Sequence, residues 1–219
     1  MNMNEYILKE LKEFTLDSTI KSAEDICNEI PITHIPIIEN NLLIGCFSES
    51  DVRTIEKKED IIRNYKDSLI AFYANENDSL LDLISLFSEN DTNILPVLNK
   101  DREYLGYYEL NDILDVLNSS PFLYKHGMVL TVEKLKKDFS ISEAAQIVET
   151  NNAKLLGVYI SAEKTDTFEL VIKIITEDIN TIIQTFRRYN YFIISEHKDD
   201  FYLKDLKNRS DYLQKYLNM

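Results

Sequence analysis

The feature that most constrains this chain is an internal repeat with a period of about sixty residues. In each copy a proline sits inside an apolar run, a glycine follows nine or ten residues later, and an aspartate stands six residues beyond that glycine. These positions are Pro36, Gly45 and Asp51 in the first copy, and Pro96, Gly106 and Asp112 in the second. The chain has four glycines and four prolines in total, so two of each in matching places indicate a duplicated structural unit.

Each copy predicts the order strand, helix, strand, strand, helix. In the first copy, Ser22 followed by Asp25 is a helix-start pattern, and a second helix is expected at 48–57. Ahead of the repeat, residues 5–12 predict a short amphipathic helix. Because a unit of about fifty residues makes only a marginal core, we expect the two copies to pack on each other as a pair.

After residue 127 the pattern changes to four apolar or alternating strands and two helices. The strands are expected at 128–132, 155–161, 168–174 and 191–195, and the helices begin near Ser140 and Asp178. This βαββαβ order is the ferredoxin-like arrangement. The fold class is therefore α+β, with a pair of β-α-β-β-α repeats in 1–120 (about 10–60 and 69–119), a ferredoxin-like domain in 127–197, and a C-terminal helical tail in 198–219.

The charge balance and the scarcity of reactive patterns limit the function classes. A net charge of −14 repels phosphate backbones and anionic lipid heads, so neither nucleic acid nor a membrane is an expected partner. The N-terminus lacks the features of a signal peptide, and Cys27 and Cys46 are interpreted as reduced and buried, so we expect a cytoplasmic protein. With no phosphate loop, nucleophile elbow or clustered metal ligands in the sequence, we expect a protein that is not an enzyme.

Residues 15–119 resemble a tandem pair of CBS domains, also called a Bateman module. The ligand signature of that family is glycine, two variable residues, serine or threonine, two variable residues and aspartate, and Gly45, Ser48 and Asp51 match it. The resemblance implies two clefts that take adenosine-containing ligands of the AMP or ATP kind, with no other cofactor. The residues that it assigns to ligand binding are Thr33, His34, Ile35 and Pro36 near the base, Ser48 by the sugar or phosphate, and Asp51 and Asp112 on the ribose hydroxyls.

The segment 127–196 is similar to an ACT domain, although the loop 133–138 lacks the Pro-Gly sequence usual in effector-binding members. A CBS pair followed by an ACT-like domain is similar to the bacterial acetoin-utilisation CBS proteins. The resemblance implies a homodimer and a downstream protein partner whose identity the sequence does not give.

Two interpretations of the Ser48–Asp51 pattern stay open. The same spacing is an ordinary helix cap, and His34 is either a core residue or a contact to the base. In the second copy Glu109 replaces the hydroxyl residue, so that cleft is expected to be empty or to take a neutral, adenosine-like ligand. The leading hypothesis is a regulatory sensor of an adenosine-containing ligand, and the alternative is a dimerisation or scaffolding module with degenerate sites.

Overall fold

The computed structural model of the protein describes residues 2–195. The chain divides into two compact units, Met1–Ser119 and Ser120–Met219. The predicted helical tail at 198–219 lies outside the described residues. Within the described part, no helix has both the length and the apolar character needed to span a bilayer.

The first unit contains the two predicted copies. The first copy consists of α1 (Ile20–Glu29), β1 (His34–Glu39), β2 (Leu42–Ser48) and α2 (Glu49–Thr54). The second consists of β3 (Ala74–Asn75), α3 (Leu80–Glu89), β4 (Ile94–Leu98), β5 (Tyr104–Glu109) and α4 (Leu110–Asn118). Short 3-10 helices occupy Met3–Tyr6 and Ile62–Ser68. The α+β class is confirmed, and the predicted element order is found in the second copy; in the first copy an isolated bridge at Phe14 takes the place of the predicted lead-in strand.

The repeat extends to individual backbone pairs. Phe14 forms a parallel bridge with Ile37, and Ala74, sixty residues later, pairs in parallel with Val97. The antiparallel hairpins β1–β2 and β4–β5 each change register directly after these partner residues. The burial pattern of residues 31–40 is also identical to that of residues 91–100. Two segments with little sequence identity therefore form the same local structure.

Helix α1 begins three residues earlier than the sequence pattern predicted. Thr19 is its N-cap, and the Thr19 Oγ1 accepts the backbone N–H of Ser22 at 3.2 Å. Ser79 caps α3 in the matching position of the second copy. The helix start predicted from Ser22 and Asp25 was wrong because the Thr19 side chain accepts the backbone N–H of Ser22, which would otherwise have no partner at the helix start.

The amphipathic helix predicted at residues 5–12 is also wrong. After the 3-10 turn at Met3–Tyr6, Leu8 forms an antiparallel bridge to Tyr107, with N···O distances of 2.8 and 3.0 Å. Backbone hydrogen bonds to β5 thus replace those of the helix that the local sequence favours. Gly106 makes this approach feasible, since a Cβ at this position would lie 2.2 Å from the Leu8 carbonyl oxygen and its φ is +142°.

The two copies share their interior. One buried cluster is built mainly on the first copy but includes Ile94 and Tyr107 from the second. The other is built mainly on the second copy but includes Met3 and Cys46. Each copy therefore completes the other's core, as expected for units too small to bury a core alone.

The second unit is a four-stranded antiparallel sheet with two main helices. Its elements are α5 (Pro121–Tyr124), β6 (Met128–Leu135), α6 (Ile141–Thr150), β7 (Lys154–Glu163), β8 (Thr167–Ile175), α7 (Ile179–Arg188) and β9 (Phe192–Ile193). The strand order is β7-β8-β6-β9, which confirms the predicted ferredoxin-like arrangement. Ser140 and Asp178 cap the two helices, as their sequence patterns indicated.

Candidate functional site

The candidate site lies where β2 ends and α2 begins. Ser48 is the last residue of β2 and the N-cap of α2, and its Oγ accepts the backbone N–H of Asp51 at 3.0 Å. The same hydroxyl donates to the Asp51 carboxylate, with 2.7 Å between Oγ and Oδ2. Ser48 therefore caps the helix and also pairs with the Asp51 carboxylate.

A comparison with the start of α3 in the second copy shows how the Ser48–Asp51 cap differs from a complete capping box. At α3 the Asp82 carboxylate accepts from both the backbone N–H and the hydroxyl of Ser79, at 2.9 and 2.6 Å. At α2 the Asp51 Oδ2 accepts from the Ser48 hydroxyl but not from the Ser48 backbone N–H, and within residues 2–195 the Oδ1 of both carboxylates accepts no hydrogen bond. One carboxylate oxygen of Asp51 is thus open to an additional donor.

His34 begins β1 beside this pair and is 8% exposed. Its Nδ1 lies 3.1 Å from the Thr33 Oγ1, and its ring packs edge-on against Phe72 at a centroid distance of 5.1 Å. Burial lowers the pKa of His34, while the carboxylates of Asp91 and Asp51 act in the opposite direction. The net lowering keeps the imidazole neutral at neutral pH.

Thr33, predicted to contact a base, joins the two copies. The Asn93 Oδ1 accepts from the Thr33 backbone N–H at 2.9 Å and from its hydroxyl at 3.0 Å. The Thr33 Oγ1 in turn accepts the Asn93 backbone N–H at 3.0 Å, and the Asn93 Nδ2 donates to the Pro31 carbonyl at 2.5 Å. Sequence reasoning missed Asn93, although its place sixty residues after Thr33 identifies it as the equivalent position in the repeat.

The remaining predicted contacts lie deeper. Ile35 is 0% exposed within the core cluster of the first copy, and Pro36 is buried beside it. Both side chains are withdrawn from solvent, so neither offers a solvent-facing surface to a ligand.

The second cleft is a cavity of about 350 Å³ between the two copies. Its lining includes Pro31, Asn93 and Glu109, and Glu109 begins α4 without a side-chain cap. Asp112 instead lines a separate cavity of about 290 Å³ with Tyr6. Glu109 and Asp112 thus face different cavities, and neither of these two cavities is lined by Ser48 or Asp51.

Charge near the first cleft is mainly negative. Glu49 and Asp51 occupy the first turn of α2, and the one basic residue of that helix, Arg53, pairs with Glu49 at 2.7 Å. Burial raises the pKa of the Cys27 thiol to about 11, so this cysteine is protonated and a poor nucleophile at neutral pH. Among residues 2–195, no group of three or more His, Cys, Asp and Glu side chains could hold a metal ion.

Comparisons with known proteins identify the second copy. Residues 61–119 match the sequence model of the CBS domain family. A curated relative, the uncharacterized protein MJ0188 of Methanocaldococcus jannaschii, is 22% identical over 117 residues, which cover 52% of this chain and 43% of the relative. The chain therefore spans less than half the length of that relative.

Two solved structures are among those similar to this chain. A CBS domain pair/ACT domain protein from Thermotoga maritima is 19% identical with a TM-score of 0.48, over 53% of this chain and 96% of that one. CBSX2, solved in complex with AMP, is 17% identical with a TM-score of 0.43, over 53% of this chain and 95% of that one.

The family match and the internal repeat together describe the first unit. The second copy lies within residues 61–119, the segment that matches the CBS domain model. The first copy has the same hairpin, the same register shift and the same parallel bridge. The first unit consequently contains a segment that matches the CBS domain family and, in the other copy, the same local fold.

Proposed function

We propose that the first unit is a non-catalytic regulatory module that binds an adenosine-containing ligand in its first cleft. The observation that carries the proposal is the 2.7 Å hydroxyl–carboxylate pair of Ser48 and Asp51, whose second carboxylate oxygen is open. A carboxylate can accept hydrogen bonds from two vicinal ribose hydroxyls at the same time. The Ser48 hydroxyl can rotate away from Asp51 when the ribose arrives.

The side that would face the base is formed by Thr33 and His34, which the buried residues Ile35 and Pro36 follow in β1. The neutral His34 ring and the adjacent Phe72 ring supply a mostly apolar wall. Thr33 is held by Asn93 of the other copy, so a ligand there would touch the contact between the copies. Occupancy of the site is thereby linked to the packing of the pair, which is what a regulatory module requires.

The charge around the site determines the expected order of affinity among adenosine-containing ligands. A carboxylate about 6 Å from a phosphate costs roughly 2–3 kcal/mol at an effective dielectric near 20. Glu49 and Asp51 supply such carboxylates, and Arg53 is already paired. We therefore expect adenosine and cationic S-adenosylmethionine to bind ahead of AMP, and ATP to bind most weakly.

The second cleft is proposed to be empty or to take a neutral, adenosine-like ligand. Glu109 stands where the first copy has the Ser48 hydroxyl, and its carboxylate repels a phosphate. Asp112 lines another cavity, which separates the two groups that would have to act together on a nucleotide.

Thermal unfolding with adenosine, S-adenosylmethionine, AMP and ATP tests the proposal. A ligand present at about 100 times its Kd should stabilise the protein by about 2.7 kcal/mol. Asp51→Ala should abolish the shift, whereas the matched variant Asp112→Ala should keep most of it. If none of the four ligands shifts unfolding at millimolar concentration, the proposal is wrong for this ligand class.

The competing function is a dimerisation or scaffolding module. It is supported by the capping role of Ser48, which needs no ligand. We retain a homodimer, a cytoplasmic location and a downstream protein partner in the proposal, together with a relationship to the acetoin-utilisation CBS proteins based on the order of the two units. A mass from light scattering tests the dimer, and a ligand-independent dimer without any thermal shift would favour the scaffold.

A further inference from the structure

A third cavity lies at the opposite end of the strands from the Ser48 site. The turn ends of the two hairpins meet there, because Leu42 bridges to Glu103 and the Tyr104 N–H donates to the Asn41 carbonyl at 2.8 Å. The cavity between them has a volume of about 330 Å³. Residues Leu42 to Gly45 of β2 line the cavity, so its near wall is about 10 Å along the strand from Ser48.

The wall of this cavity is mainly apolar, and its polar members are Tyr73 and Arg102. It is formed mainly by side chains of β2, β4 and the segment before β3, including Leu42, Ile44, Ala71 and Leu98. Such a volume and lining are those of a site for a small organic molecule rather than for a hydrated ion.

One cationic side chain stands at this cavity. Arg102 lines it together with Tyr73, and the Arg102 Nη2 lies 3.3 Å from the Tyr73 hydroxyl oxygen. Among residues 2–195, no carboxylate lies within ion-pairing distance of Arg102, whereas Arg53 and Arg63 both pair with acidic residues. In a chain with a net charge of −14, an arginine that lacks a carboxylate partner among the described residues is notable.

Arg102 also occupies a backbone position that does not suit it. Its φ is +66°, a left-handed conformation that favours glycine and asparagine. The equivalent residue of the first hairpin is Asn41, with φ +64°. The turn geometry therefore does not require arginine, and its guanidinium needs another explanation.

We propose that this cavity binds a small monoanion with an apolar body, of which a medium-chain carboxylate is the simplest case. The guanidinium and the Tyr73 hydroxyl would donate to the carboxylate, and the alkyl chain would enter the apolar cavity. Only one cation is present, and Asp101 and Glu103 flank it in sequence, so a polyphosphate is disfavoured. The site does not depend on Ser48 or Asp51.

Isothermal titration of the full chain with octanoate tests the site, with 1-octanol as the neutral probe. Octanoate should bind with one-to-one stoichiometry and more tightly than 1-octanol. Arg102→Gln should weaken octanoate binding by about tenfold or more, the usual effect of losing a charge-assisted hydrogen bond. The matched variant Arg63→Gln, which removes an exposed arginine elsewhere on the unit, should bind octanoate as the wild type does.

Two further variants separate binding from folding and from the first cleft. Arg102→Gly relieves the positive φ, so it should lose octanoate binding while its Tm stays equal or rises. Asp51→Ala should leave octanoate binding unchanged. The proposal is overturned if the wild type binds no octanoate at about 10 mM, if 1-octanol binds equally well, or if Arg102→Gln and Arg102→Gly keep wild-type affinity. Loss of octanoate binding in Asp51→Ala would overturn it too, because it would place the ligand in the first cleft.

Discussion

Replacing Asn93 by alanine should loosen the contact between the two copies of the first unit. The Asn93 side chain makes three hydrogen bonds across that contact, two from Thr33 to its Oδ1 at 2.9 and 3.0 Å and one to the Pro31 carbonyl at 2.5 Å. Each bond contributes roughly 0.5–1.5 kcal/mol net. Because these groups are only partly buried, water replaces some of the lost bonds, and we expect a loss of about 2–3 kcal/mol.

Amide hydrogen exchange measures this loss where it should occur. A chain of two units need not unfold in one transition, and amide exchange reports on each unit separately. The opening free energies of amides in β1 and β4 should fall by the predicted amount, while those in β8 of the second unit should stay unchanged. Asn64→Ala, at an exposed position of the same unit, is the matched control and should change them by less than about 0.5 kcal/mol.

A double-mutant cycle with Thr33→Val tests the reasoning itself. The two side chains bond directly to each other, so their effects should be coupled by about 0.5 kcal/mol or more. The account of the contact is refuted if the two effects simply add, or if Asn93→Ala changes protection in β1 and β4 by no more than the Asn64 control does.

Three other perturbations have defined outcomes. Gly106→Ala should destabilise the first unit by about 3 kcal/mol, because its Cβ would lie 2.2 Å from the Leu8 carbonyl oxygen at a φ of +142°; a Tm equal to wild type would contradict this. The pKa of His34 is lowered below its ordinary 6.5, so as the pH falls the unfolded chain takes up the proton before the folded protein does. The stability that His34 contributes above pH 6.5 should therefore decline as the pH falls towards the folded pKa. Urea titrations of His34→Gln at several pH values should show a shallower decline than those of the wild type. Lys134, 6% exposed, pairs with Glu143 at 2.5 Å, so Glu143→Ala should cost about 1–3 kcal/mol in thermal unfolding, whereas Lys134→Met should cost clearly less.

The fold was largely predictable because its signals are local and occur twice. The Pro36 and Pro96 runs both became buried strands, and the alternation after residue 127 became the ferredoxin-like sheet. The start of α1 was missed because an earlier residue, Thr19, caps it, and the N-terminal helix was predicted wrongly because a distant backbone competes with a local preference. Residues 5–12 are amphipathic, but Leu8 bonds to Tyr107, about a hundred residues away, and no local pattern reports such a partner.

The candidate site was predictable only in part. The spacing of Ser48 and Asp51 predicted both a cap and a hydroxyl–carboxylate pair, and the structure contains both in the same side chains. The spacing does not show whether the backbone N–H of the cap residue also donates to the carboxylate, because that depends on the direction in which this N–H points. The contrast with Ser79 and Asp82, which have the same spacing and a closed box, shows that a single pattern permits both outcomes.

The sequence by itself determined the duplicated unit. Its hydrophobic period, caps and turn residues act over a few neighbouring positions, and this set of signals occurs twice in the chain. The tertiary structure alone decided what lies between the copies. Thr33 meets Asn93, Glu109 and Asp112 face separate cavities, and Arg102 stands at an apolar cavity formed by two hairpin turns. These arrangements depend on how the two copies pack, and packing of distant segments leaves no periodic trace in the sequence.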